Sequence, residues 1–206
     1  MALSKEQQKQ FTPSLALKDL KEGHQRFVDG KPLTLSTSSL INQTAKAQFP
    51  KAIVVSCIDS RVPVEQIFDQ NIGDIFVARV AGNFINNDIL ASIEYACAVA
   101  QSPLVIVLGH VGCGAVSSAC DGVKLGHITE MLQAITPAIE DAQKTSNEPF
   151  NSSNVSYVDS VTESNVLLNI NKITQQSQLL KERIENGQLA ICGGVYQIKD
   201  GTINWL

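Results

Sequence analysis

Two stretches decide the fold: Ala52-Ile-Val-Val-Ser56 running into Cys57-Ile-Asp-Ser-Arg61, and Leu104-Val-Ile-Val-Leu108 running into Gly109-His-Val-Gly-Cys113. Each is a short apolar run rich in β-branched residues that ends in groups able to bind a metal. Runs of this length and composition read as strands buried on both faces. Two such strands deliver the thiolates of Cys57 and Cys113, the imidazole of His110 and the carboxylate of Asp59 to one end of one sheet. Two sulfurs, one nitrogen and one carboxylate oxygen make a tetrahedral set suited to Zn²⁺. The alternative is that Cys57 and Cys113 are small buried hydrophobes. The glycines flanking Cys113 favour the metal, because they let backbone crowd a small ion and donate N–H groups to sulfur.

Strands alternating with helical patterns extend along the chain. The spacing predicts helices over Pro13–Asp29, Ser38–Gln48, Pro63–Asp69, Asn87–Ala100, Gly114–Asp121, Ile128–Lys144 and Tyr157–Asn186, with residues 1–12 frayed. Further strands are predicted at Ile75–Val80, Leu189–Tyr196 and Thr202–Trp205. The pattern is that of an α/β domain with a mainly parallel central sheet. Ligands of such sheets bind outside the carboxyl ends of the strands, which is where Cys57 and His110 fall.

Asp59 and Arg61 belong together. Asp59 can be a fourth metal ligand, which closes the site, or it can pair with Arg61, which leaves the fourth position open as a catalytic zinc site requires. An open site points to a zinc-activated water attacking a small electrophilic carbon. Gly109-x-x-Gly112-x-Gly114 does not match a dinucleotide loop, since His110 and Cys113 occupy its middle. Cys97, Cys120, Cys192 and His24 read as packing residues, and His127 as a helix start.

Composition narrows the class further. The chain has 206 residues, is 44% hydrophobic and carries a net charge of −4, so a single domain over 1–206 with a sizeable core is expected. With no basic patch and few aromatics, nucleic acid is not an expected partner. No apolar run approaches the roughly 20 residues that span a bilayer. Five scattered cysteines and a polar start without a leader-like segment fit a cytoplasmic protein with reduced thiols.

At these residues the sequence resembles the β-class carbonic anhydrases. Cys57-x-Asp59-x-Arg61 and Gly109-His110-x-x-Cys113-Gly114 match that family's two metal motifs at a matching separation. Gly73-Asp-Ile-Phe-Val-Ala-Arg79, Ala81-Gly82-Asn83, Ser92-Ile-Glu-Tyr95, Asn165-Val166 and Gly193-Gly-Val-Tyr-x-Ile-x-Asp-Gly201 extend the likeness. The resemblance implies a lyase that hydrates CO2 reversibly to bicarbonate and a proton. It implies a parallel sheet with an antiparallel C-terminal edge strand, an N-terminal helical arm (1–50) before the catalytic core (51–206), and a homodimer or dimer of dimers with the active site at the interface. Carried over by position, Cys57, His110 and Cys113 hold zinc, Asp59 joins them only in a closed state, and Asp59 with Arg61 forms the gating pair. Gln48, nine residues before Cys57, matches the glutamine that donates to substrate. Phe76 matches an aromatic pocket wall, and Gly112 faces the metal through its backbone. Val54 stands where some members carry the tryptophan of a noncatalytic bicarbonate site, whose other two positions match Arg79 and Tyr196. A gapless alignment places Asn86 where plant-like members have a pocket tyrosine. Two rivals remain: a carbonyl sulfide or carbon disulfide hydrolase on the same scaffold, and a noncatalytic zinc module closed by Asp59.

Overall fold

The computed structural model describes residues 2–33 and 37–206. Five strands form one sheet in the order β2-β1-β3-β4-β5: β1 is Ala52–Ser56, β2 Ile75–Arg79, β3 Leu104–His110, β4 Ala190–Tyr196 and β5 Ile203–Trp205. The first four in that order run parallel, and β5 is antiparallel to β4, pairing Gly194 with Trp205 and Tyr196 with Ile203. The expected mainly parallel α/β sheet with an antiparallel C-terminal edge is therefore present.

Every residue of β1 and β3 is buried, as expected for central strands covered on both faces. On one face Val54, Ile106 and Leu108 pack with Ala16 and Leu20 of α2 (Pro13–Val28) and with Ile67 of α4 (Val64–Ile67). On the other, Ile53, Val55, Val105 and Val107 pack with Ile93 of α5 (Asn87–Glu94), with Val166 and Ile173 of α9 (Val155–Gln176) and with Leu180 of α10 (Gln178–Glu185). A third cluster contains Cys57 and Cys113 themselves. It is built with Val116 of α6 (Gly114–Cys120), Leu132 of α7 (Gly126–Gln133), Ala138 of α8 (Thr136–Ala142) and Tyr157 and Val161 of α9.

Several element boundaries differ from expectation, each for a local reason. Residues 1–12 are not simply frayed. Lys5–Gln8 forms α1 under a reciprocal cap, with Ser4 accepting from the Gln7 backbone and Gln7 from that of Ser4. The buried amide of Gln8 then donates to the carbonyls of Pro50 and Ala100, both at 2.8 Å. Helix α3 spans Thr37–Thr44 and stops short of Gln48. The helix after Asn87 continues past Glu94 as a π turn over Tyr95–Val99. The pattern over 128–144 is two helices, because Pro137 in the first turn of α8 has no N–H for a helical bond to the preceding turn. The pattern over 157–186 is also two. Ser177 leaves the helical region at φ −119°, ψ 103°, and its Oγ accepts from the Leu180 N–H to start α10. An unbroken hydrophobic period cannot reveal such a cap.

Candidate metal centre

β1 and β3 are adjacent, with Ser56 paired to Leu108, so the residues just beyond them meet at one end of the sheet. Cys57 follows β1 directly. His110 is the last residue of β3 itself. Val111-Gly112 then reverses the chain so that Cys113 lies at the start of α6. Gly112 sits at φ +62°, a conformation that glycine adopts without a Cβ penalty.

One ligand atom from each of Cys57, His110 and Cys113 lies within 4.8 Å of the others, and the two sulfurs are 3.9 Å apart. All three residues are buried, His110 completely. The imidazole is set for coordination. Its Nδ1 lies 3.0 Å from the Val111 carbonyl, which can only accept, so Nδ1 carries the proton. Nε2 is left as a bare lone pair, fully buried, with no hydrogen-bond partner. A buried acceptor facing two sulfurs is costly when nothing binds it and well suited to a cation. The thiols point the same way. The neighbouring Cys113 and the backbone N–H of Gly82 hold the Cys57 thiol down, while Cys57 and burial push Cys113 up. The residues present fit a metal ion.

Asp59 stands beside this group without joining it. Arg61 holds it with three hydrogen bonds: backbone N–H to Oδ1 at 2.9 Å, Nε to Oδ1 at 2.9 Å and Nη2 to Oδ2 at 2.7 Å. Nη2 also reaches the Gly112 carbonyl at 3.3 Å. The guanidinium keeps the Asp59 carboxyl well below the usual carboxylate range. Oδ2 is 3.8 Å from His110 Nε2, so the carboxylate borders the open side of the group.

Other residues singled out from the sequence stand elsewhere. Gln48 is exposed between α3 and β1 and, among the described residues, hydrogen-bonds to none of the three. Phe76 pairs with Ile53 in register, four residues before Cys57 or about 13 Å along the strand. It lines a separate cavity of about 540 Å³ with Ile89, Ser92 and Tyr95, meeting the Tyr95 ring edge-on at 6.3 Å. Asn86 is the N-cap of α5 and accepts from the Ile89 N–H. Arg79 donates to the carbonyls of Cys57 at 2.8 Å and Asp59 at 2.6 Å, so it braces the loop that carries the site. Gly82 belongs to neither ligand motif, yet its N–H donates to Cys57 Sγ at 3.4 Å. Asn165, on a helix 83 residues away, donates to the Gly82 carbonyl at 2.9 Å. The sequence signals for such a partner are the Asn165-Val166 segment of the resemblance and the pair Asn165 and Asn169, one helical turn apart among buried residues.

A pair of cysteines and a histidine able to hold a metal at the carboxyl end of a parallel sheet, bordered by an arginine-held carboxylate, points to a class of enzyme. Within that class the chain belongs to the β-carbonic anhydrase family. The family's sequence profile, Carbonic anhydrase, matches residues 52–203. Carbonic anhydrase 2 of Mycobacterium tuberculosis is 37% identical over 195 residues, covering 92% of this chain and 90% of the relative. The carbonic anhydrase of Mycolicibacterium smegmatis is 38% identical over 199 residues, covering 93% and 92%. Among solved structures, the β-carbonic anhydrase CcaA superposes with a TM-score of 0.72 at 26% identity, over 92% of this chain and 94% of that one. CafA of Aspergillus fumigatus gives 0.72 at 26% identity over 94% and 89%.

Proposed function

We propose that this chain is a zinc enzyme that converts CO2 and water to bicarbonate and a proton, with Zn²⁺ held by Cys57, His110 and Cys113. The observation that carries this reading is the bare, buried Nε2 of His110 facing two sulfurs while Arg61 holds Asp59 aside. When bound, zinc makes water nucleophilic near neutral pH. Arg61 keeps Asp59 off the fourth position, and Asp59 stays ionised. A carboxylate held so acidic is a poor resting place for a proton, so its work is to accept a hydrogen bond from the attacking water and aim it. Gly112 contributes through its backbone at the same rim. Asp59 on the metal would be the closed state, from which Arg61 withdraws it.

The protomer by itself does not bring Gln48 and Phe76 to the metal. Both fit a site completed by a second copy. β2 is an edge strand of the sheet; Tyr95, whose ring meets Phe76, is 56% exposed, and Val99 in the same π turn is 67% exposed. In this reading a homodimer or dimer of dimers buries that edge, and Gln48 donates to bicarbonate across the interface. Residues 51–206 form the catalytic core and 1–50 the helical arm, together one domain. No helix among the described residues is long and apolar enough to cross a membrane.

Stopped-flow CO2 hydration from about pH 6.5 to 9, with zinc quantified in the same sample, tests the assignment. One zinc per chain with activity rising towards alkaline pH is the expected result. Full zinc with no hydration at any pH overturns it and turns attention to carbonyl sulfide and carbon disulfide as substrates. A permanently closed structural zinc is the reading the geometry favours least, because it needs Asp59 on the metal and here Asp59 pairs with Arg61.

A further inference from the structure

The segment Gly82–Ile85, between β2 and α5, carries no metal ligand, yet it is held with unusual care. Gly82 has φ +81° and Asn83 φ +43°, so two consecutive residues lie in the left-handed region, the second without glycine's freedom. Such a loop persists only where its surroundings over-determine it. Those surroundings are polar side chains on one face of α9. Asn165 Nδ2 donates to the Gly82 carbonyl at 2.9 Å. Asn169 Oδ1 accepts from the Ile85 N–H at 2.7 Å, and Lys172 Nζ donates to the Ile85 carbonyl at 2.7 Å. Asn169 Nδ2 returns to Asn165, meeting its carbonyl at 2.7 Å and its Oδ1 at 3.0 Å. Residues 165, 169 and 172 recur at helical spacing and grip both ends of the loop.

Burying two carboxamides in a core costs free energy unless each group is paired. Asn165 and Asn169 are 2% and 5% exposed, in a helix whose other buried positions include Val161, Val166 and Ile173. Apolar residues would pack there more simply. What the amides secure is the aim of the Gly82 N–H, which donates to Cys57 Sγ at 3.4 Å. A side chain at this position would be strained by the φ of +81°, which L residues rarely adopt.

We propose that Asn165 is a positioning residue for the metal centre: through Gly82 it fixes an N–H···S hydrogen bond on the Cys57 thiolate and so sets how strongly that sulfur binds the ion. Asn169 holds Asn165 in register. Neither amide touches a ligand atom, and the effect travels through one peptide turn. The proposal rests on the reading of Cys57, His110 and Cys113 as the metal site. Outer partners of ligands are typically worth roughly 10- to 100-fold in metal affinity.

The test is zinc affinity by chelator competition, with the sulfur-to-metal charge-transfer band of the Co²⁺-substituted protein and the thermal midpoint of the metal-free protein. Asn165→Leu keeps the volume and removes the donor. It is expected to weaken zinc binding roughly 10- to 100-fold and to move the Co²⁺ band to longer wavelength, because a thiolate relieved of its hydrogen bond is more easily oxidised. Asn165→Asp, which keeps the acceptor facing Asn169 and loses the donor to Gly82, covers the case in which the leucine variant does not fold. Ile173→Val, elsewhere in the same helix core, is expected to lower the midpoint without moving the band or the affinity. Asparagine variants that lower the midpoint with zinc affinity within twofold of wild type and an unshifted band would show a packing role only and overturn the proposal. A wild-type chain binding neither Zn²⁺ nor Co²⁺ would instead overturn the metal reading beneath it.

Discussion

At the scale of the residue, the choice between an open and a closed site comes down to one carboxylate. In the proposed zinc site Asp59 would have two competing partners, the metal and Arg61, and the guanidinium offers paired N–H donors at matching spacing. Removing Arg61 takes away that competitor. Arg61→Ala is expected to lower CO2 hydration near neutral pH by roughly 10- to 100-fold while zinc content stays at one per chain. Asp59→Ala is expected to lower the same rate with zinc retained, since the attacking water loses its acceptor. Steady-state rates with metal analysis on each variant decide this, and full activity in Asp59→Ala would remove the carboxylate from the mechanism.

At the scale of the element, α2 is docked on α4 closely enough to reverse a rule. Replacing an interior helix glycine by alanine normally stabilises by about 1 kcal/mol. At Gly23 a Cβ would lie 2.0 Å from the Phe68 carbonyl oxygen, a backbone atom that cannot step aside. Gly23→Ala is therefore expected to destabilise the protein, by about 1–3 kcal/mol as other overpacked contacts do. Urea unfolding checks the sign, and a gain in stability would mean the two helices can move apart. The next residue couples this contact to pH. Burial lowers the pKa of His24, whose Nδ1 donates to the Ile67 carbonyl at 3.1 Å. A base whose folded pKa is depressed takes up its proton more readily when unfolded. Its contribution is present above the unfolded value of about 6.5 and is lost as pH falls through the folded one. The stability difference between wild type and His24→Gln should shift in the variant's favour between pH 7.5 and 5.5. Unfolding curves at the two pH values, showing no such shift, would contradict this.

At the scale of the whole molecule, β2 is an edge strand with Phe76 and Tyr95 beside it, and Tyr95 and Val99 are both exposed. An apolar, unpaired edge is a liability unless something covers it, and the proposed second copy would cover it. Sedimentation is expected to give a dimer or a multiple of one. Val99→Glu is expected to shift the mass towards the monomer and to reduce hydration together with it. A monomer with full activity would show the site to be complete within one chain.

How much of this could be read beforehand depends on the range of the interaction. Ala52–Ser56 and Leu104–Leu108 announce buried parallel strands because runs of β-branched residues without polar interruption suit strands covered on both faces. The residues that end them are potential ligands by chemistry alone, so the meeting of Cys57, His110 and Cys113 at one end of the sheet was legible, while the order of the five strands was not. The breaks at Ser177 and before Pro137 were not foreseen, since a hydrophobic stripe continues smoothly across a cap. Likewise, no local pattern tells whether Asp59 faces a metal or an arginine. That Gly82 reaches Cys57, and that Asn165 reaches Gly82 from 83 residues away, depends on how α9 packs across the sheet. The sequence by itself determined the strands and the donor atoms, because burial and coordination chemistry are properties of residue types. Only the tertiary structure decided which hydrogen bonds hold those donors, because an N–H or carboxylate chooses its partner by distance and direction, and these exist only once the helices have docked.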